Sequence, residues 1–108
     1  MLTTLLLTAA AAQFQPAASL PLLDGNTAKS TAQFEQCFTS SQQRLSRPLW
    51  LVPHEDGVRI SNEGTSGVAN PYRIRFTEAA GGNRVQVLIA RRDEQAEAPL
   101  VDAVKNCW

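Results

Sequence analysis

The segment at residues 71–91 constrains the fold most, because it holds two alternating strand patterns joined by a Gly-Gly-Asn turn. Side chains alternate between the two faces of a β-strand, so one face collects the apolar residues and the other the polar ones. The pattern predicts a β-hairpin with its turn at residues 79–83. The apolar face is predicted to hold Tyr72, Ile74, Phe76, Val85, Val87 and Ile89.

A second, shorter hairpin is predicted upstream of the first. Residues 49–52 form an apolar run between Pro48 and Pro53, and prolines at both ends favour an edge strand, where a missing N–H breaks no ladder. Residues 58–61 alternate as its partner strand. The residues that follow, 62–70, contain two glycines and no apolar period, so we expect a loop there.

One helix is predicted on each side of the strands. Ser30 and Gln33 form a capping box before an apolar stripe, which predicts a first helix at residues 31–45 with Leu45 on that stripe. Pro99 suits the first position of a helix, so the second helix is expected at residues 99–108. The sequence therefore predicts an α+β fold, in which a four-stranded antiparallel meander carries both helices on one face (α-β-β-β-β-α).

Each predicted helix carries one of the two cysteines, Cys37 and Cys107. We predict a disulfide between them that links the helices across the sheet; two independent buried thiols are the alternative. A metal site is not expected, because two sulfurs and the lone His54 fall short of four ligands and show no close Cys-x-x-Cys spacing. No cofactor motif is present either.

The N-terminal segment, residues 1–18, has an apolar run followed by small residues, which is typical of a secretory signal peptide cleaved near residue 12 or 18. It has no basic residue before Lys29, and an N-terminal core helix is the alternative. The apolar run is too short to span a bilayer. Residues 19–29 are interpreted as a flexible linker and residues 30–108 as one α+β domain. These features predict a periplasmic or secreted protein with no membrane span in the mature chain.

The formal net charge is zero, which argues against a protein that binds nucleic acid through a long-range field. Even so, four arginines are expected on the outward face of the sheet, where they either form a solvated surface or bind an anionic ligand or an envelope protein. Trp50 belongs to the first predicted strand, and Asn62 directly follows the second. Whether Trp50 is a core residue or an exposed contact stays open. The candidate binding residues are Arg59, Arg73, Arg75, Arg84, Asn62 and Trp50.

His54 stands beside two carboxylates, Glu55 and Asp56, and general acid–base chemistry often uses histidine. The same three residues are also ordinary turn composition, and no nucleophile motif accompanies them. The sequence thus favours a small exported binding or accessory module that is not an enzyme. A small hydrolase or transferase that uses His54 with a neighbouring carboxylate is the alternative.

Four short motifs give the chain a family resemblance: W-x-V-P at residues 50–53, G-x-x-x-S-N-x-G at 57–64, N-P-Y at 70–72 and A-V-x-x-C at 103–107. In these motifs, together with a cysteine in the first helix, the chain resembles small uncharacterised periplasmic or secreted proteins of alphaproteobacteria. The resemblance implies export and a disulfide, and it implies no activity.

Overall fold

A computed structural model describes residues 20–52, 57–63 and 71–108. The predicted signal peptide (1–18), the catalytic candidate His54 with its neighbours, and residues 64–70 of the predicted loop lie outside this part of the chain. The elements in chain order are β1 (Leu20–Thr27), α1 (Thr31–Arg44), β2 (Trp50–Leu51), β3 (Val58–Ser61), β4 (Tyr72–Thr77), β5 (Asn83–Ile89) and α2 (Glu94–Lys105).

The hairpin predicted at residues 71–91 is the centre of the sheet. Strands β4 and β5 pair antiparallel, with Ile74 opposite Val87 and Phe76 opposite Val85. All six side chains predicted for the apolar face are buried, and they form the floor of the hydrophobic core. Burying such side chains is the main favourable term in folding, so the local alternation determined this part of the fold.

The second predicted hairpin is also present. Strand β3 has the predicted bounds and pairs with β4, while β2 pairs with β3 and forms one edge of the sheet, as the flanking prolines indicated. Arg59 is the extra residue of a β-bulge between Val58 and Ile60. A bulge interrupts the alternation of side chains between the two faces, and this changes where Arg59 points.

The largest difference from the predicted fold is a fifth strand. Residues 20–27, which the sequence suggested were part of a flexible linker, form β1 and pair antiparallel with β5, giving the sheet order β1-β5-β4-β3-β2. A bulge between Pro21 and Leu23 places both Leu22 and Leu23 against the core. Because two consecutive residues face inward, β1 lacks the strict alternation by which a strand is recognised.

Helix α1 begins with the predicted capping box. The Ser30 hydroxyl accepts from the Gln33 backbone N–H at 3.1 Å, and the Gln33 side chain accepts from the Ser30 N–H at 2.9 Å. Phe34 and Phe38 are buried on the face of α1 that meets the sheet, where Phe34 packs on Phe76 with ring centroids 5.6 Å apart. The helix therefore rests on the central hairpin through aromatic contacts.

At the end of α1 a residue other than glycine has a left-handed backbone conformation. Ser46 has φ 56°, its N–H donates to Gln43 O, and the Arg47 N–H donates to Gln42 O. This pair of bonds is the Schellman pattern, in which glycine is usual at the left-handed position. The turn fixes the direction in which the chain leaves α1 towards β2, at a steric cost that glycine would not incur.

Helix α2 begins earlier than predicted. Its N-cap is Asp93, whose carboxylate accepts from the Gln95 and Ala96 N–H groups, so Pro99 lies inside the helix and not at its first position. Glu97 strengthens this start, since its carboxylate accepts two bonds from Arg92 and one from the Asp93 N–H.

Cys37 and Cys107 form the predicted disulfide. Cys107 lies two residues after the end of α2, so the bond joins α1 to the turn that follows α2 and not one helix to the other. Both helices contribute to the core on the same face of the sheet, which confirms an α+β fold. The sheet, however, is five-stranded and open.

Candidate functional site

The face of the sheet that turns away from the helices is built in rows, because paired residues of neighbouring strands share a face. One row crosses all five strands through Trp50, Ser61, Arg73, Leu88 and Pro21. This outer face thus combines an aromatic, an arginine and two apolar side chains in one line. It is not the uniformly polar surface that the sequence predicted.

Glu63 is the centre of a small cluster at the β2 end of this row. Its carboxylate accepts two bonds from Arg73, at 2.7 and 3.1 Å, and one from the Ser61 hydroxyl at 3.0 Å. Its backbone carbonyl accepts from Trp50 Nε1 at 3.0 Å. We call these four residues, Trp50, Ser61, Glu63 and Arg73, the Trp50 cluster. Trp50 and Arg73 are among the binding residues predicted from the sequence, whereas Glu63 is not.

The bonds within the Trp50 cluster fix the orientation of its side chains. Arg73 and Glu63 are both about a quarter exposed, and their two parallel hydrogen bonds hold the guanidinium in one plane. The indole of Trp50 is 53% exposed, yet its one polar atom is already bonded inside the cluster. What Trp50 presents to solvent is therefore an apolar ring in a fixed orientation.

Asn62 is hydrogen-bonded to the backbone of β4. Its side-chain oxygen accepts from the Tyr72 N–H at 2.8 Å, and its own N–H donates to Tyr72 O at 3.4 Å. Asn62 is thus placed beside the Trp50 cluster, where it ties the end of β3 to the start of β4. Tyr72 itself is buried, and this burial raises the pKa of its hydroxyl.

The four arginines expected on one face are not all together. Arg73, Arg75 and Arg84 lie on the outer face, but Arg59 forms an ion pair with Glu35 of α1 at 2.9 Å and so belongs to the helix side. The β3 bulge is the physical reason, because it breaks the alternation on which the expectation depended.

Arg84 lies at the opposite end of the face from the Trp50 cluster. It donates two hydrogen bonds to Asp24 of β1, at 2.9 and 2.6 Å. The Arg84 hydrogen bond holds the pKa of the Asp24 carboxyl below its usual value, and Asp24 in turn raises the pKa of Arg84. This pair fastens β1 to β5, so its charges are already matched within the protein.

The exposed large apolar side chains of the described residues all lie between residues 45 and 51. Leu45, Trp50 and Leu51 are 54%, 53% and 57% exposed. Leu45 was expected on the buried stripe of α1, but it is the C-cap residue, beyond the last turn that covers the sheet. Leu51 pairs with Ile60, so its side chain is on the helix side of β2, while that of Trp50 is on the outer side.

The described part of the chain holds neither a metal-holding group nor a membrane-spanning helix. Residues 20–52, 57–63 and 71–108 contain no group of acidic, histidine and cysteine side chains that could hold a metal ion. Within the same residues, neither helix is long and apolar enough to cross a membrane. Comparison with protein-family models, with curated proteins and with solved structures found no match.

Proposed function

We propose that this protein is a small non-enzymatic binding module and that the Trp50 cluster is its contact surface for another protein. The observation that carries the proposal is the exposed indole of Trp50, held in place by its bond to Glu63 O. Tryptophan and arginine are the residues most enriched among those that dominate the energy of protein interfaces. A ring that is already ordered loses little conformational freedom when a partner covers it.

The paired charges favour a protein over a simple anion as the ligand. The guanidinium groups of Arg73 and Arg84 each hold a carboxylate of the same chain. An anion that bound either arginine in the same way would have to displace that carboxylate. A protein surface can instead stack on Trp50 and leave the ion pairs intact at the rim of the interface.

Capture with the oxidised protein tests this proposal. The tagged protein is incubated with an envelope extract, and proteins retained by the wild type are compared with those retained by Trp50→Ala and Trp50→Phe. We expect Trp50→Ala to reduce retention of the partner at least ten-fold, while Trp50→Phe keeps most of it because an aromatic ring remains. Arg84→Ala, at the far end of the same face, is the matched control. Equal retention by Trp50→Ala and the wild type would refute the proposal.

We further propose that the protein acts in the periplasm or outside the cell. The Cys37–Cys107 disulfide supports this location, since such bonds persist in oxidising compartments and are rare in the cytosol. The test is alkylation in intact cell fractions before and after reduction. We expect both cysteines to react only after reduction and the protein to be found in the envelope or medium; a reduced cytosolic pool would contradict it.

A further inference from the structure

The two edges of the sheet are built differently. Natural proteins protect exposed edges with proline, bulges and charges, because unpaired backbone groups there recruit further strands. The β1 edge has all three devices: Pro21, the bulge at Leu22 and the ion pair of Asp24. The β2 edge instead carries Trp50 and Leu51, one exposed apolar side chain on each face of the sheet.

The backbone of Leu51 is directed to the open side of β2. Val52 N donates to Arg59 O at 2.7 Å, so residues 52 and 59 form a hydrogen-bonded pair of the antiparallel ladder. Residues along such a strand alternate between bonding to the neighbour and bonding away from it. The N–H and C=O of Leu51 therefore point away from β3, and no strand of the described residues lies beyond β2.

The segment that leads from α1 into this edge is basic. Residues 43–52 contain two arginines, Arg44 and Arg47, and no acidic residue. Both side chains are exposed, and neither forms an ion pair with another described residue. An occupant of the edge gains from carboxylates near these guanidinium groups.

We propose that β2 accepts an extended, acidic segment of a partner protein as a sixth antiparallel strand. The backbone of Leu51 supplies the ladder bonds, Trp50 and Leu51 contact two successive apolar side chains of the segment, one on each face, and Arg44 and Arg47 select its carboxylates. This inference rests on the proposed binding function and specifies the kind of partner. A second copy of the chain is a poorer occupant, because an edge strand of two residues falls far short of the roughly 20–30 residues per side of a stable interface.

Selection from phage-displayed random twelve-residue peptides on the oxidised full-length protein tests the proposal. We expect enriched sequences to contain two successive apolar residues and to carry Asp or Glu, and a synthetic peptide of the enriched sequence to bind in a Trp fluorescence titration. Leu51→Pro removes the outward N–H without touching the bond of Val52 to β3, so it should weaken binding at least ten-fold. Leu51→Ala keeps that N–H and is the matched control, with an expected loss below three-fold. Arg47→Glu should weaken the acidic peptide at least three-fold.

A second measurement avoids any dependence on the folding of Leu51→Pro. Peptides N-methylated at alternate positions lose the N–H groups on one edge only, and one of the two methylation patterns should abolish binding while the other leaves it unchanged. Equal loss from Leu51→Pro and Leu51→Ala, or equal binding of both methylated peptides, would refute strand addition while leaving Trp50-dependent binding intact. Enrichment of basic peptides, no enrichment, binding only to anionic lipid vesicles, or a dimer abolished by Leu51→Pro would also overturn the proposal.

Discussion

The disulfide closes a long loop that runs from α1 to the turn after α2, so its removal should have a large effect that follows from loop length. Cys37 and Cys107 are 70 residues apart in sequence. In the chain-entropy model, cross-linking a loop of that length lowers the entropy of the unfolded chain by about 15 cal/mol/K, which is about 4 kcal/mol at 25 °C. A domain of this size has a free energy of unfolding of roughly 5–10 kcal/mol. Loss of the bond therefore removes a large share of the stability.

Urea unfolding measures this effect. We expect the double variant Cys37→Ala/Cys107→Ala to lose about 4 kcal/mol, with a higher m-value because its unfolded state is no longer cross-linked. The reduced wild type is the matched control, since it lacks the bond but keeps both sulfur atoms. Cys107 is fully buried. Any additional loss in the double variant then reports the packing of the sulfurs and not the cross-link.

The result that would refute this reasoning is a reduced wild type within 1 kcal/mol of the oxidised protein. Such a result would mean that the unfolded chain is already compact around the two cysteines, because the cross-link then restricts little. It would also remove the argument that a domain of this size depends on a covalent bond for its stability.

Three further changes test separate parts of the fold. Gly25→Ala brings a Cβ into a clash with ring atoms Cζ3 and Cη2 of Trp108 and should destabilise by about 1–3 kcal/mol in urea unfolding, whereas Gly81→Ala, whose Cβ meets open space, should change stability little; equal effects would contradict the packing of Trp108 on β1. Ser46→Gly relieves a positive φ and should stabilise by about 1 kcal/mol by the same measurement, and a destabilised variant would contradict the turn geometry. The hydrogen bond from Arg92 lowers the pKa of Glu97 below the ordinary 4.5 in the folded state. The pair therefore stabilises the folded protein above that pH, and its contribution is lost as the pH falls. The urea midpoint should therefore decrease as the pH is lowered below about 4.5, and less so in Glu97→Gln; parallel pH profiles would show that Glu97 contributes nothing.

The sequence predicted correctly the elements that are defined by contacts or alternation among near neighbours. The central hairpin follows from alternation, and α1 follows from the Ser30–Gln33 capping box, which is a contact between near neighbours. The predicted start of α2 is wrong because Pro99, which suits the first position of a helix, lies inside it. Asp93 followed by Glu, Gln and Ala was the available signal, since aspartate is a strong N-cap and the residues after it favour helix.

The candidate site was only partly predictable, for the same physical reason that β1 was missed. Both differences come from bulges, at Leu22 and at Arg59, and a bulge shifts the face of every later side chain relative to simple alternation. Thus β1 did not resemble a strand, and Arg59 was placed on the wrong face. The exposure of Trp50 depends on which elements cover β2, and a strand of two residues has no periodicity that would reveal it.

The fifth strand explains why Leu51, on the helix side of β2, is exposed. Two helices, each about 10 Å wide, cover about 20 Å of a sheet, whereas five strands about 4.8 Å apart occupy about 24 Å. One strand must then extend beyond the helices. Trp108, just after α2, packs on Gly25 of β1, and α1 packs on β4 and reaches β3 through Glu35, so the strand left without a cover is β2. The exposure of Leu51 is therefore a consequence of adding β1 to a sheet that two helices cannot fully cover, and a sixth strand at β2 would give Leu51 the neighbour that the helices do not supply.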